Sequence, residues 1–251
     1  MHVPKIRTGD MKSKNIRGVA AALILLSACN KSTDPPAIPS DVSLEEAYRL
    51  NSQELLQRYL TGWQLRVRSV AEEEYRLFVD TVRAVYDIYA AFYDPLHMGK
   101  YCTTGRCPEF GNDIYAGIEY AVVQNNIKYT TSEYENHKEI SDFRPAVDPG
   151  PSVLFLTPEY WEALNSFLDR DVHQGDLQER YNFLTEKLSI WPGHWFGWHF
   201  LTHPEIDYLK INSTLDSAVV HFRIIFEGGE AILVHDGTRW RMTESRLTWI
   251  E

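Results

Sequence analysis

Apolar residues recur along this chain at two periods, and the change from one to the other divides it. Ser43-Leu44-Glu45-Glu46 is a capping box, in which the Ser43 hydroxyl accepts from the Glu46 amide and the Glu46 carboxylate reaches back. A helix is predicted to begin there. Leu56, Tyr59 or Leu60, Trp63, Val67 and Val70 follow at three-and-four spacing. Trp63, Leu65 and Val67 satisfy strand alternation equally well, which leaves 63–70 open between helix and strand. From Glu72 to Tyr93, Leu77, Phe78, Val82, Val85, Tyr86, Tyr89 and Phe92 predict a helix that Asp94-Pro95 ends. Strands are expected around 119–131 and at Val153–Leu156. Thr157-Pro158, an N-cap followed by Pro at the first helical position, opens a helix with Trp161, Leu164 and Leu168 on one face. Another helix runs from Asp176 to Leu188 through Leu177, Tyr181 and Leu184.

Beyond residue 205 the period becomes two. A strand over Ile206–Ser213 precedes two dipeptides, Gly228-Gly229 and Asp236-Gly237, that are hairpin-turn signatures. Pairing outward from the first sets Phe226 opposite Ala231, Ile224 opposite Leu233 and Phe222 opposite His235. Pairing outward from the second sets His235 opposite Thr238, Leu233 opposite Trp240 and Ala231 opposite Met242. Both registers place Phe222, Ile224, Phe226, Ala231, Leu233, Trp240 and Met242 on one apolar face, with His221, Arg223, Arg239 and Arg241 on the other. Arg246–Ile250 extends the sheet. Helices followed by a meander make an α+β layout, with N-terminal helices packed on a curved C-terminal antiparallel sheet. That order and the ending GGEAILVHDGTRWRMTESRLTWIE resemble the cone-shaped NTF2-like (SnoaL-like) domains of secreted and lipid-anchored bacterial proteins. The resemblance implies a pocket between sheet and helices, used by some members for catalysis and by many for binding, and it leaves a homodimer open.

The start of the chain has a different character. Lys12, Lys14 and Arg17 form a positive region, Gly18–Leu26 an apolar one, and Ser27-Ala28 supply small residues for cleavage. Met11 is therefore the expected start and 1–28 a signal peptide, its apolar run short of the roughly 20 residues a spanning helix needs. With Cys29 directly after Leu26-Ser27-Ala28, the segment resembles the lipobox of bacterial lipoproteins, in which signal peptidase II cuts before a diacylated cysteine. The resemblance implies lipidation of Cys29, a membrane partner through that lipid, and a place in the cell envelope, at an outer membrane facing the periplasm or the surface. Residues 29–42, with Pro35, Pro36 and Pro39, read as an extended tether. Residues 43–251 then form a single globular domain.

Composition narrows the partners. The net charge is -10, and removing the first 28 residues leaves 20 basic against 34 acidic side chains, a balance of -14. Long-range repulsion at that charge excludes nucleic acid and anionic lipid headgroups. A neutral or cationic small molecule, or another envelope protein, remains. With Cys29 taken by lipid, Cys102 and Cys107 are expected to form a local disulfide worth roughly 2 kcal/mol. The acidic run from Asp169 lacks the glycine and glutamate of a calcium-binding EF-hand loop. No catalytic or cofactor motif is present, so no catalytic residue is assigned.

His194, His199 and His203 with Trp195 and Trp198 form the densest cluster of imidazole and indole. Gly193, Gly197 and Pro204 oppose the helix that would align His199 with His203, so aromatic packing outweighs a zinc site there. The candidate pocket residues are His199 and Trp198 from this cluster, and His235, Phe222 and Trp240 from the sheet. The function expected is a non-enzymatic binding or accessory module. The alternative is an anchored enzyme acting on a small neutral or cationic molecule, with His235 or His199 moving a proton.

Overall fold

The computed structural model describes residues 42–103, 114–132, 136–193 and 197–250, all within a compact unit spanning 38–251. The expected signal peptide, Cys29 and the prolines of the expected tether lie outside the described residues. Ser43 caps α1 (Leu44–Arg49), its Oγ accepting from the Glu46 amide at 3.1 Å. Asn51 then takes φ +46, in the left-handed region that stops a helix, and Ser52 caps α2 (Gln53–Arg66). The open stretch 63–70 is thus helical to Arg66 and extended from Val67.

The long helix expected over 72–93 is broken. Only α3 (Glu72–Tyr75) and α4 (Asp80–Phe92) form. Leu77 and Val79 between them are 84% and 68% exposed, and of that apolar run Phe78 packs, on Tyr75 and Tyr86. After a 3₁₀ turn at Met98–Tyr101 come β1 (Tyr120–Gln124), β2 (Ile127–Thr130), β3 (Lys138–Ile140) and β4 (Ser152–Leu156). Helices α5 (Pro158–Phe167) and α6 (Leu177–Thr185) follow. On α5 the buried face is Tyr160, Leu164 and Phe167, while Trp161 points outward, 45% exposed, contrary to expectation. The short β5 (Trp191–Pro192) and β6 (Trp198–His199) pair with each other. Then β7 (Glu205–Ile211), β8 (Ser217–Ile224), β9 (Glu227–His235) and β10 (Trp240–Ile250) form the expected meander.

The architecture is α+β. Its main sheet has the order β10-β9-β8-β7-β2-β3 and is mixed, because β2 runs parallel to β7. A separate pair, β1 and β4, is parallel and stands between two hydrophobic cores. Alternation along these strands serves both sides: Tyr120, Val122 and Leu154 enter a core built by α1, α2, α5 and α6, whereas Val123 and Phe155 enter the core beneath the main sheet. A strand buried on both faces needs apolar residues at every position, which accounts for the unbroken Val122-Val123 and Val153–Leu156 runs. Of the α-helices, α4 alone contributes fully buried residues to the sheet core, so most of the helical layer does not pack on the main sheet as expected.

Both hairpin registers differ from expectation. Ile225 and Phe226 make the β8–β9 turn, and Ile224 pairs with Glu227, not Leu233. Gly228 and Gly229 are strand residues with a different task. A Cβ on Gly228 would lie 1.9 Å from the Trp249 ring, and one on Gly229 would lie 2.6 Å from both Phe222 Cζ and the Arg246 carbonyl. Glycine is there to admit two aromatic rings. Ile225 adopts φ +55, unfavourable for a β-branched residue, with its side chain fully buried in the sheet core. At the second hairpin His235 pairs with Trp240, not Thr238, because Asp236 caps the Thr238 and Arg239 amides and widens the loop. The first slip is six positions and the second two as far as Met242, beyond which a bulge sets Ala231 opposite Ser245 instead of Met242; the even slips keep the face assignment, and Phe222, Ile224, Ala231 and Leu233 are all buried.

Candidate functional site

A cleft of about 630 Å³ opens at the ends of β1 and β4. Gln124 and Leu156, the last residues of these parallel strands, lie at its floor, and Pro158 and Trp161 of α5 form one wall. Glu139, β6 with Trp198 and His199, and Glu205 at the start of β7 complete the lining. The crevice outside the carboxyl ends of parallel strands is a recurrent ligand position, because chain leaving two adjacent strands diverges and opens a gap.

Gln124 ties the two sheets together at this point. Its Nε2 donates to the Asn126 and Ile206 carbonyls at 2.7 and 3.1 Å, and its Oε1 accepts from the Ile206 amide at 2.7 Å. Glu205 is held one residue away. Its carboxyl takes no hydrogen bond from the described residues and is raised by desolvation, with Arg223 across the strand pair opposing the shift and Asp207 adding to it. Glu139 accepts weakly from Asn126 at 3.5 Å, and Glu162 from the Ser166 hydroxyl at 3.4 Å. The lining has three carboxylates and neither lysine nor arginine.

Behind His199 lies a buried polar seam. The Tyr115 hydroxyl accepts from the His203 amide at 3.1 Å and lies 2.8 Å from His203 Nδ1. An amide can only donate, so the phenol proton is left for Nδ1 and the imidazole proton is assigned to Nε2. Burial, reinforced by His199 and Arg223, pulls His203 down to about 3. It is a neutral structural group, and Nε2 has no hydrogen-bond partner among the described residues.

The structure divides the five sequence-predicted pocket residues among three places. His199 and Trp198 line the cleft, His199 packing edge-on to Phe226 with ring centroids 5.6 Å apart. Trp198 is committed to the fold: its indole donates to the Leu168 carbonyl at 2.9 Å, Tyr181 stacks on it and Arg170 lies over its ring. His235 and Trp240 share a separate, shallower notch with Asp87 and Arg241, where His235 is half-exposed beside its turn. Phe222 is a fully buried core residue and lines neither depression. Cys102 is disulfide-bonded, while Cys107 and His194 lie outside the described residues.

Sequence reasoning missed Glu205, Glu139, Trp161 and Glu162. The available signal was the amide run Gln124-Asn125-Asn126 directly after a wholly apolar strand, a polar strand end that invites a cleft. Among the described residues no group of three His, Cys, Asp or Glu side chains could hold a metal ion, and no helix is long and apolar enough to cross a membrane. No family model matches the chain, and no curated protein or solved structure matches it.

Proposed function

We propose that this chain is a lipid-anchored protein of the bacterial cell envelope, held through Cys29, whose globular part binds a small neutral or cationic molecule without transforming it. Its layer of α4 over the β7–β10 meander is read as an elaborated NTF2-like cone. The observation that carries the binding reading is the cleft at the carboxyl ends of β1 and β4, lined by three carboxylates and an outward-facing indole. The anchor reading is carried by the lipobox-like run ending at Cys29.

The test has two arms. In a bacterium that processes lipoproteins, the wild-type chain is expected in the membrane fraction with an acylated N-terminus, and Cys29→Ser in the soluble fraction. A soluble or unacylated wild type would overturn the anchor. In a thermal-shift screen of small neutral and cationic compounds, at least one is expected to stabilise the domain, with the shift lost in Trp161→Ala. A second reading, an anchored enzyme, is favoured by His199 sharing the cleft with Glu205, a carboxyl that desolvation shifts upward. Turnover of a stabilising compound that stops in His199→Gln would select it.

A further inference from the structure

We infer that the cleft selects protonated amines, compounds in which an ammonium group carries N–H donors and an apolar body lies on Trp161. This rests on reading the cleft as a ligand site and assigns the class of molecule it takes. The hydrogen-bond inventory of the lining carries the inference. Most of the amide donors that could serve a neutral polyol are already spent inside the protein, and the Ser141 hydroxyl is another neutral donor of the lining. Both bonds from Gln124 Nε2 go to backbone carbonyls, and Asn125 Nδ2 donates to Asp142 and to the Phe143 carbonyl at 3.3 and 3.2 Å. Asn126 Nδ2 faces Glu139.

What the cleft offers is therefore mostly acceptors. Glu205 takes no hydrogen bond from the described residues, and Glu139 and Glu162 each accept one long one. A neutral sugar brings donors and acceptors in equal measure and would leave its acceptors unpaired. An anion would meet three carboxylates and no cation among the lining residues. A protonated amine brings donors only and neutralises charge as it enters.

The apolar part of the class follows from the two indoles. Trp198 is already stacked by Tyr181 at 5.4 Å and covered by Arg170 at 4.8 Å. Trp161 is 45% exposed and its ring has no aromatic or cationic partner among the described residues, so its face is free to receive the ligand. An indole face attracts both apolar surface and positive charge.

The test uses three probes with one apolar body: 2-phenylethylammonium, its trimethylated form, and 2-phenylethanol. They are titrated into the full chain while the Trp161 indole N–H resonance is followed by NMR. The primary ammonium is expected to bind about tenfold tighter than the alcohol, the scale of one partly desolvated charged contact, and the gap is expected to narrow with added salt. The trimethylated form, charged but without donors, is expected to fall between them. Glu205→Gln should weaken the ammonium several-fold and leave the alcohol unchanged. Removing a carboxylate whose charge is disfavoured by burial should also leave the variant melting at or above wild type at pH 7, which keeps the variant informative. Equal affinity for the ammonium and the alcohol would overturn the class while the cleft remains a binding site. No response of the Trp161 resonance to any probe would overturn both readings.

Discussion

The two cores on either side of the β1–β4 pair solve the same problem differently. Each must close a hydrophobic interior and satisfy the polar atoms that its long side chains carry inside. The helical core does so with charge at its rim. Arg180, 7% exposed, bonds Glu45 at 2.6 Å and Asp176 at 2.9 Å, and its guanidinium lies over the rings of Tyr48 and Phe167. One arginine thereby joins α6 to α1. The sheet core does so with neutral groups at depth. The Tyr101 hydroxyl donates to the Phe92 carbonyl at 2.6 Å, that of Tyr93 donates to the Thr202 carbonyl at 3.1 Å, and Tyr115 meets His203. Burial holds the Tyr93, Tyr101 and Tyr89 phenols well above their ordinary range, so they stay protonated and can donate. Ions suffice where water still reaches the partner carboxylates; where it does not, only uncharged donors are tolerated.

The largest effect that can break this comparison comes from emptying one core at a time. Trp63 is fully buried, stacks on Tyr160 at 4.2 Å and donates to the Phe155 carbonyl at 2.9 Å; Phe222 is fully buried against Phe92 and Tyr101. Trp63→Ala and Phe222→Ala are each expected to cost about 3–5 kcal/mol in denaturant unfolding. If the cores are separate, the double variant adds the two losses to within about 0.5 kcal/mol. A large coupling energy would mean one core, not two.

A smaller effect isolates the sheet side. Gly229→Ala places a methyl against Phe222 and the Arg246 carbonyl and is expected to cost about 1–3 kcal/mol, measured as a lowered denaturant midpoint. Phe222→Leu should return part of that loss by shrinking the ring. Equal penalties in the wild-type and Phe222→Leu backgrounds would remove the ring from the explanation.

The smallest effect is a slope. His203 is held near pH 3 in the fold and titrates near 6.5 when unfolded, so the unfolded chain binds the extra proton as the medium acidifies. Its contribution is present above pH 6.5 and is lost as pH falls towards 3, at about 1.4 kcal/mol per pH unit in the middle of that window. The unfolding free energy measured across this range is expected to lose that component in His203→Gln. An unchanged slope would place the acid sensitivity elsewhere.

How much of this was legible follows from range. Caps act within four residues, so Ser43, Ser52 and Asp94-Pro95 mark their helix ends locally, and the first and last of them can be read from the residues alone. The sheet faces were legible because alternation survives any even slip in pairing. The turns were not. Gly228-Gly229 has the composition of a hairpin, but its cause is two distant rings, Phe222 and Trp249, and no local rule carries that information. Ile225-Phe226, the turn itself, has strand composition and a buried Ile225. The cleft was hidden for the same reason, since Glu139, Glu162 and Glu205 come from three separate elements that meet only when β7 docks beside the end of β1. Of the five pocket candidates, Trp198 and Phe222 proved to be packing residues.

The β1–β4 pair has one more consequence, for how the chain folds. Both of its faces are covered, Val122 and Leu154 by the helical core and Val123 and Phe155 by the sheet core. A chain that has assembled only its helices leaves Val123 and Phe155 wet, and one that has assembled only its meander leaves Val122 and Leu154 wet. Neither half is therefore a stable stopping place, and the two cores are bound to appear and disappear together although no large side chain need pass between them.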